Sequence, residues 1–144
     1  KDTLVEADKH VAELVDLDYG RCVMVVAVPK ERGIKQVTDL DFNSRVASKY
    51  PRIATQYFQD HGIQAEVIPL HGSIELGPII GLSDAIVDIT ETGKTLVENG
   101  LESIAEIMTS SSRLIANRVS YKLKYQEMQR LVEAVEGVLA DEDR

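Results

Sequence analysis

The run Cys22-Val-Met-Val-Val-Ala-Val28 constrains the fold more than any other stretch of this sequence. Seven consecutive apolar residues ending at Pro29 are too few for a core helix of ordinary length and show no polar alternation. A strand of this kind is buried on both faces, so its sheet must be covered by helices on both sides. The rest of the chain supplies them. Arg45–Ser48, Ala65–Leu70 and Ala85–Ile89 read as further strands. Between them, Tyr50-Pro51 opens a helix with Pro at the first helical position, and Gly62 closes it. Ser73 is the expected N-cap of a short helix through Ile80, and Thr95–Asn99 a helix of one to two turns. This alternation defines an α/β fold with mostly parallel sheets.

The flanks are read the same way. Leu4, Val5, Val11, Leu14 and Val15 fall at helical spacing, so Lys1–Leu14 is expected to be a helix, followed by a strand at Val15–Leu17. Thr38–Asn43 is expected as a turn or short helical piece. Ser103–Met108 and Arg113–Asn117 read as strands. A last helix is expected from Ser120, with Met128, Leu131, Val132, Val135, Val138 and Leu139 on its packed face and an acidic frayed tail at 140–144.

Composition narrows the function. A formal net charge of −8 argues against a nucleic-acid surface, which needs a basic stripe. The single cysteine, Cys22, excludes an internal disulfide framework and suits a reducing compartment. No apolar run approaches the roughly 18 residues of a spanning helix, and a cytoplasmic protein is expected. His10, His61 and His71 lack metal-site spacing and read as structural, although His71 lies beside the stretch discussed next. Thr109–Ser112 reads as a polar link between strands.

The chemistry concentrates in Asp84-Ala-Ile-Val-Asp-Ile-Thr-Glu-Thr-Gly-Lys-Thr-Leu96. A strand delivers Asp88 and Thr90 to its carboxyl end, where ligands of open α/β sheets bind. Thr92, Gly93, Lys94 and Thr95 then turn into a helix. Gly93 can adopt a backbone conformation closed to other residues, which allows N–H groups to converge on an anion, and the threonine hydroxyls can donate to phosphate oxygens. Thr92-Gly-Lys-Thr95 is also the end of a Walker A loop, but the first glycine of that pattern would be residue 88, which is Asp88. An ordinary strand–turn–helix with polar turn residues stays open from these residues alone. Acids beside an anion loop suit a ligand that also carries vicinal hydroxyls or a bridging Mg²⁺, as a ribose 5-phosphate unit with a 1-pyrophosphate does.

A series of motifs in order carries a resemblance. These are Arg45-Val-Ala-Ser-Lys-Tyr-Pro51, Leu70-His-Gly-Ser-Ile-Glu-Leu-Gly-Pro78 and Gly81-Leu-Ser-Asp-Ala-Ile-Val-Asp88, followed by Glu91-Thr-Gly-Lys-Thr-Leu96, Asn99-Gly-Leu101, Ser111-Ser-Arg-Leu-Ile115 and Asn117-Arg118. Through them the chain resembles the ATP phosphoribosyltransferase family, from Lys1 to Leu139.

The resemblance implies two α/β lobes like a type 2 periplasmic binding protein, with residues 1–37 in the first lobe, 38–100 in the second, and 101–144 returning to the first. The family opens with a strand and a Pro-Lys-Gly-Arg-like loop that has no counterpart here, so the first lobe is expected to be incomplete at its N-terminus. The implied reaction joins N1 of the ATP adenine to C1 of 5-phosphoribosyl 1-pyrophosphate, releasing pyrophosphate, in the first step of histidine biosynthesis.

Carried over residue by residue, Asp88, Thr90, Glu91, Thr92, Gly93, Lys94, Thr95 and Leu96 would hold the ribose phosphate. Glu75 and Asp84 would lie near the ribose or its metal-bound pyrophosphate. Lys49 and Tyr50 are candidates for the nucleotide or pyrophosphate side. Mg²⁺ would arrive with the substrate, with Asp88 its candidate protein ligand, and no catalytic base is assigned. The chain ends after its last helix, as in the short form of the family. That form implies a homo-oligomer and a histidyl-tRNA-synthetase-like regulatory subunit. The competing reading is a non-catalytic two-lobed module that binds a small anion.

Overall fold

The structure is a computed structural model that describes residues 1–142. The chain forms two compact units, one from residues 22–109 and the other from residues 1–21 with 110–144. The first is wider than the 38–100 stretch expected, because the apolar run forms part of the same sheet as Ala85–Thr90.

That sheet has five strands. They are β2 (Cys22–Pro29), β3 (Arg45–Ser48), β4 (Glu66–Pro69), β5 (Ala85–Thr90) and β6 (Leu101–Ser110), in the spatial order β4-β3-β5-β2-β6. Strand β3 runs parallel to both β4 and β5, whereas β2 is antiparallel to β5 and sets Val25 opposite Asp88.

Alternation along the strands divides the core in two, as period-2 geometry requires. Met24, Val26 and Val28 of β2, Val46 of β3 and Ala85 and Val87 of β5 share one cluster with Ile53, Ala54 and Phe58 of helix α2 (Pro51–Asp60). Val25, Ala27, Ala47 and Ile86 face the other way and pack with Ile74, Leu96 and Leu101. Leu96 belongs to α4 (Lys94–Glu98), and α3 (Leu76–Ile79) lies between β4 and β5 in the chain. The run at 22–28 is thus apolar throughout because both of its faces are covered.

Gly77 explains how closely α3 approaches β3. A Cβ at this position would lie 2.8 Å from the Ser83 hydroxyl oxygen and 3.2 Å from the Ala47 Cβ. The helix starts later than expected. Glu75, not Ser73, occupies its N-cap position, and no side chain caps it.

The other unit contains α1 (Asp2–Glu6), β1 (Ala12–Asp16), β7 (Arg113–Ala116), α5 (Arg118–Leu123) and α6 (Tyr125–Glu142), with β1 and β7 paired antiparallel. The long helix expected at Lys1–Leu14 does not form. Asp8 adopts φ 49°, which ends α1, and Ala12–Asp16 forms a strand whose pairing shifts register between Glu13 and Val15, so that Leu14 and Val15 are both withdrawn from solvent. Asp16 stabilises this strand pair: its carboxylate accepts from the Ser111 hydroxyl at 2.7 Å and pairs with Arg113 at 2.8 Å.

The last helix is two helices. Asn117 caps α5 through its side-chain oxygen, which accepts the Val119 and Ser120 N–H groups at 2.9 and 3.2 Å, so the helix begins before Ser120. Lys124 (φ −115°, ψ 34°) separates it from α6. On α6, Met128, Val132, Val135 and Leu139 are half-buried, while Leu131 and Val138 are exposed, so the packed face is narrower than expected. The tail is helical through Glu142; Asp143 and Arg144 lie outside the described residues. Among the described residues no helix is long and apolar enough to cross a membrane.

Candidate functional site

The strands β3, β4 and β5 run parallel and so point their carboxyl ends to one edge of the sheet. A hollow of about 240 Å³ lies at this edge, lined by Glu75, Asp88, Ile89, Thr90, Glu91, Thr92, Thr95 and Leu96. Strand parity explains the grouping. Asp88 and Thr90 continue the row of Ile86, which faces Ile74 and Leu96. Glu75 precedes α3, while Thr95 and Leu96 sit in α4, so these side chains meet Asp88 on the same side of the sheet.

The loop between β5 and α4 is held by its own hydroxyls. Thr90 Oγ1 accepts the Gly93 N–H at 2.8 Å, and Thr92 Oγ1 accepts the Lys94 N–H at 3.4 Å. A hydroxyl that accepts keeps its proton to donate, so both threonines can still offer O–H groups to an anion. Gly93 has φ +73°, the left-handed conformation that a side chain disfavours, and it is the residue from which α4 starts. Leu96 is buried and anchors α4 in the core.

Three carboxylates and three hydroxyls line the hollow, and no basic side chain does. Asp88 shows the electrostatic consequence. Burial is the largest influence on its carboxyl and pushes it up, the Glu75 charge adds to this, and the Ile89 N–H (2.8 Å from Oδ1) and the Lys49 charge oppose it; the balance leaves Asp88 above the ordinary aspartate range. Such a site favours an incoming cation, or a ligand that brings one.

The structure does not bring every sequence candidate to this hollow. Asp84 lies at the other end of β5, four residues or roughly 13 Å from Asp88 along the strand. Its Oδ2 accepts the Arg45 N–H at 2.8 Å, and its Oδ1 pairs with Arg32. Burial pushes the Asp84 carboxyl up, but the Arg45 N–H and the Arg32 guanidinium outweigh it and hold the group below the usual range. Lys94 is exposed and reaches Glu98 at 3.8 Å instead of the hollow. Lys49 is exposed with its charge within reach of Asp88, whereas Tyr50 is buried in the core with α2. His71 is exposed. Ile89 lines the hollow although sequence reasoning did not single it out; its place in the strand beside Asp88 was the only available signal.

Sheet order, helix placement and a polar hollow at the carboxyl edge define the class: an α/β protein of the type 2 periplasmic-binding-protein kind. Solved structures show the same fold. The periplasmic aliphatic sulphonate binding protein SsuA from Escherichia coli matches 96% of this chain and 52% of its own with a TM-score of 0.64 at 15% identity, a likeness of fold alone. The family model described as HisG: ATP phosphoribosyltransferase matches residues 1–137, and the chain belongs to that family.

Among relatives, an ATP phosphoribosyltransferase of Syntrophomonas wolfei is 52% identical over 134 residues, covering 92% of this chain and 61% of the relative. The structure of the ATP phosphoribosyl transferase (HisG:HisZ) complex from Thermotoga maritima matches with a TM-score of 0.85 at 36% identity, covering 98% of this chain and 68% of that one. The chain spans 61–62% of the length of the first curated relatives it matches.

Proposed function

We propose that this protein is an ATP phosphoribosyltransferase, joining N1 of the ATP adenine to C1 of 5-phosphoribosyl 1-pyrophosphate with release of pyrophosphate, the first step of histidine biosynthesis. Its hollow at the carboxyl edge of β5 would hold the phosphoribosyl group. The observation that carries this reading is the pairing, in one hollow, of a hydroxyl-lined loop with the acids Glu75 and Asp88. A simple anion site has no use for those acids; a ribose with vicinal hydroxyls and a metal-bound pyrophosphate does.

Under this proposal, Thr90, Thr92 and Thr95 donate to the 5-phosphate, and Gly93 gives the loop the turn that aims these groups. Asp88 and Glu75 accept from ribose hydroxyls or contact the cation that accompanies the pyrophosphate. No group of three or more His, Cys, Asp and Glu able to hold a metal exists among the described residues. Mg²⁺ is therefore read as part of the substrate, since it needs only one or two carboxylates when phosphate oxygens supply other ligands. When bound, it offsets charge on the leaving pyrophosphate.

Breaking the C1–O bond builds positive character on the sugar, and the fixed carboxylates beside it stabilise that charge electrostatically. Positioning of the adenine N1 against C1 supplies much of the remaining rate, and no protein nucleophile is required. Lys49, whose charge reaches Asp88, is assigned to the pyrophosphate side.

The proposal extends to assembly and place. A partner subunit is proposed by analogy with the HisG:HisZ complex from Thermotoga maritima; that it is a histidyl-tRNA-synthetase-like regulatory subunit, and that the chain self-associates, is proposed from the resemblance to the short form of the family, in the cytoplasm, where the free thiol of Cys22 would stay reduced.

The test is to incubate the protein with ATP, 5-phosphoribosyl 1-pyrophosphate and Mg²⁺ and follow products by mass spectrometry and pyrophosphate release. The phosphoribosyl adduct of ATP and pyrophosphate should appear in equal amounts. Binding of the sugar substrate without either product would mark a non-catalytic module of the same fold, and neither binding nor product would contradict the assignment.

A further inference from the structure

Ser48 is the last residue of β3 and is completely buried. Its hydroxyl donates to the Val87 carbonyl of β5 at 2.7 Å and accepts the Tyr50 N–H at 2.9 Å. Its own carbonyl accepts the Leu70 N–H at 2.9 Å, just beyond β4. One residue at the carboxyl end of β3 therefore ties the middle of β5 and the segment leaving β4.

The three segments leaving this node carry charged groups of the edge. Lys49 lies between Ser48 and Tyr50, and Asp88 follows Val87. Glu75 comes five residues after Leu70. We propose that Ser48 is a positioning residue, whose buried hydroxyl fixes Lys49 and Asp88 relative to each other across the β3–β5 seam at the mouth of the hollow. The inference rests on the reading of that hollow as the phosphoribosyl site.

The bland view is a serine that merely satisfies two buried backbone groups. Geometry argues for more. In regular parallel pairing a strand residue bonds its neighbours through its backbone, and an apolar side chain would serve the core, as Val46 and Ala47 do in the same strand. Here the side chain closes a local turn onto Tyr50 and grips the residue before Asp88 in the same gesture. The chain consequently leaves β3 at a fixed angle, with Lys49 turned out toward solvent. Lys49, Glu75 and the Ile89 N–H are the groups acting on Asp88, and Glu91 lines the same hollow, so a small slip of the seam changes how these charges face one another.

The experiment combines Ser48→Ala, Ser48→Thr and Ser48→Cys with two readouts. In the ligand-free protein, NMR should show the Tyr50 amide exchanging about tenfold faster in Ser48→Ala, with backbone shift changes concentrated at Lys49 and Asp88 and not at Ala85. Calorimetry with Mg²⁺ and 5-phosphoribosyl 1-pyrophosphate should show affinity reduced about tenfold. Ser48→Thr, which keeps the hydroxyl, should restore both values to within about twofold.

If Ser48→Ala does not fold, Ser48→Cys, close in size but a poor hydrogen-bonding group, carries the same prediction. Unchanged exchange and shifts in a folded Ala or Cys variant would overturn the proposal, as would failure of Thr to restore them. Loss of folding in both Ala and Cys would place the role in folding and overturn it too. If the wild-type protein itself ignores the phosphoribosyl ligand, the assignment of the hollow fails, while the NMR comparison still judges Ser48.

Discussion

Asp84, just before β5, and Asp88, within it, stand four residues apart and have opposite electrostatic fates. Asp84 is held below the usual carboxyl range because its pairing with the Arg45 N–H and Arg32 outweighs its burial. A group depressed in this way adds stability above the unfolded pKa, and that stability is lost as pH falls through the folded value. Asp84→Ala should therefore cost about 1–2 kcal/mol at neutral pH, with a smaller loss on acidification than wild type, in urea melts run from pH 7 to pH 3. Binding of the sugar phosphate should be unchanged, since Asp84 lies at the far end of β5.

Asp88 is raised instead, chiefly by burial and then by Glu75. Its contribution to the ligand-free fold is present below the unfolded pKa and is lost as pH rises through the folded value. Asp88→Asn should accordingly raise the melting temperature at pH 7 while weakening Mg²⁺-dependent substrate binding by about tenfold or more. A variant that lost both stability and binding would show that Asp88 serves structure.

At the scale of elements, the β5–loop–α4 segment depends on a single backbone conformation. A Cβ at Gly93 would meet nothing within 4 Å, so a side chain there is opposed by the left-handed φ of +73° alone. Gly93→Ala should cost about 1–2 kcal/mol by thermal or chemical denaturation, and Gly93→Asn less, because Asn tolerates this region better.

Elements governed by local rules were legible in the sequence. The apolar run at 22–28 announced a doubly covered strand, and Pro51 marked the start of α2. The loop was legible for the same reason, since Thr90 to Thr95 organise one another within a few residues. What needed the third dimension was not. Lys1–Leu14 reads as one helix with a strand only from Val15, because Leu4, Val5, Val11, Leu14 and Val15 fit helical spacing; Asp8 in a left-handed conformation breaks that helix, and the strand already begins at Ala12. Asp84 is placed near the ribose by the family resemblance, but it stands where β5 begins, and an extended strand carries residues close in sequence to different edges of a sheet. Ser48 carried no signal, because nothing in Val-Ala-Ser-Lys shows that its hydroxyl meets a strand almost forty residues later.

At the scale of the molecule, the unit of residues 22–109 contains the entire hollow, from Glu75 to Leu96. Family membership rests on a match that runs through nearly the whole chain, whereas the reaction is an inference from the site and from relatives longer than this chain. A molecule with a net charge of −8 and an acid-lined hollow should bind a polyphosphate only in company with a cation. Calorimetric titration of 5-phosphoribosyl 1-pyrophosphate with and without Mg²⁺, on wild type, Asp88→Ala and Thr95→Ala, tests that claim most directly. The account predicts binding that requires Mg²⁺, is abolished in Asp88→Ala and is weakened in Thr95→Ala; equal affinity in all three proteins, or binding indifferent to Mg²⁺, would contradict it.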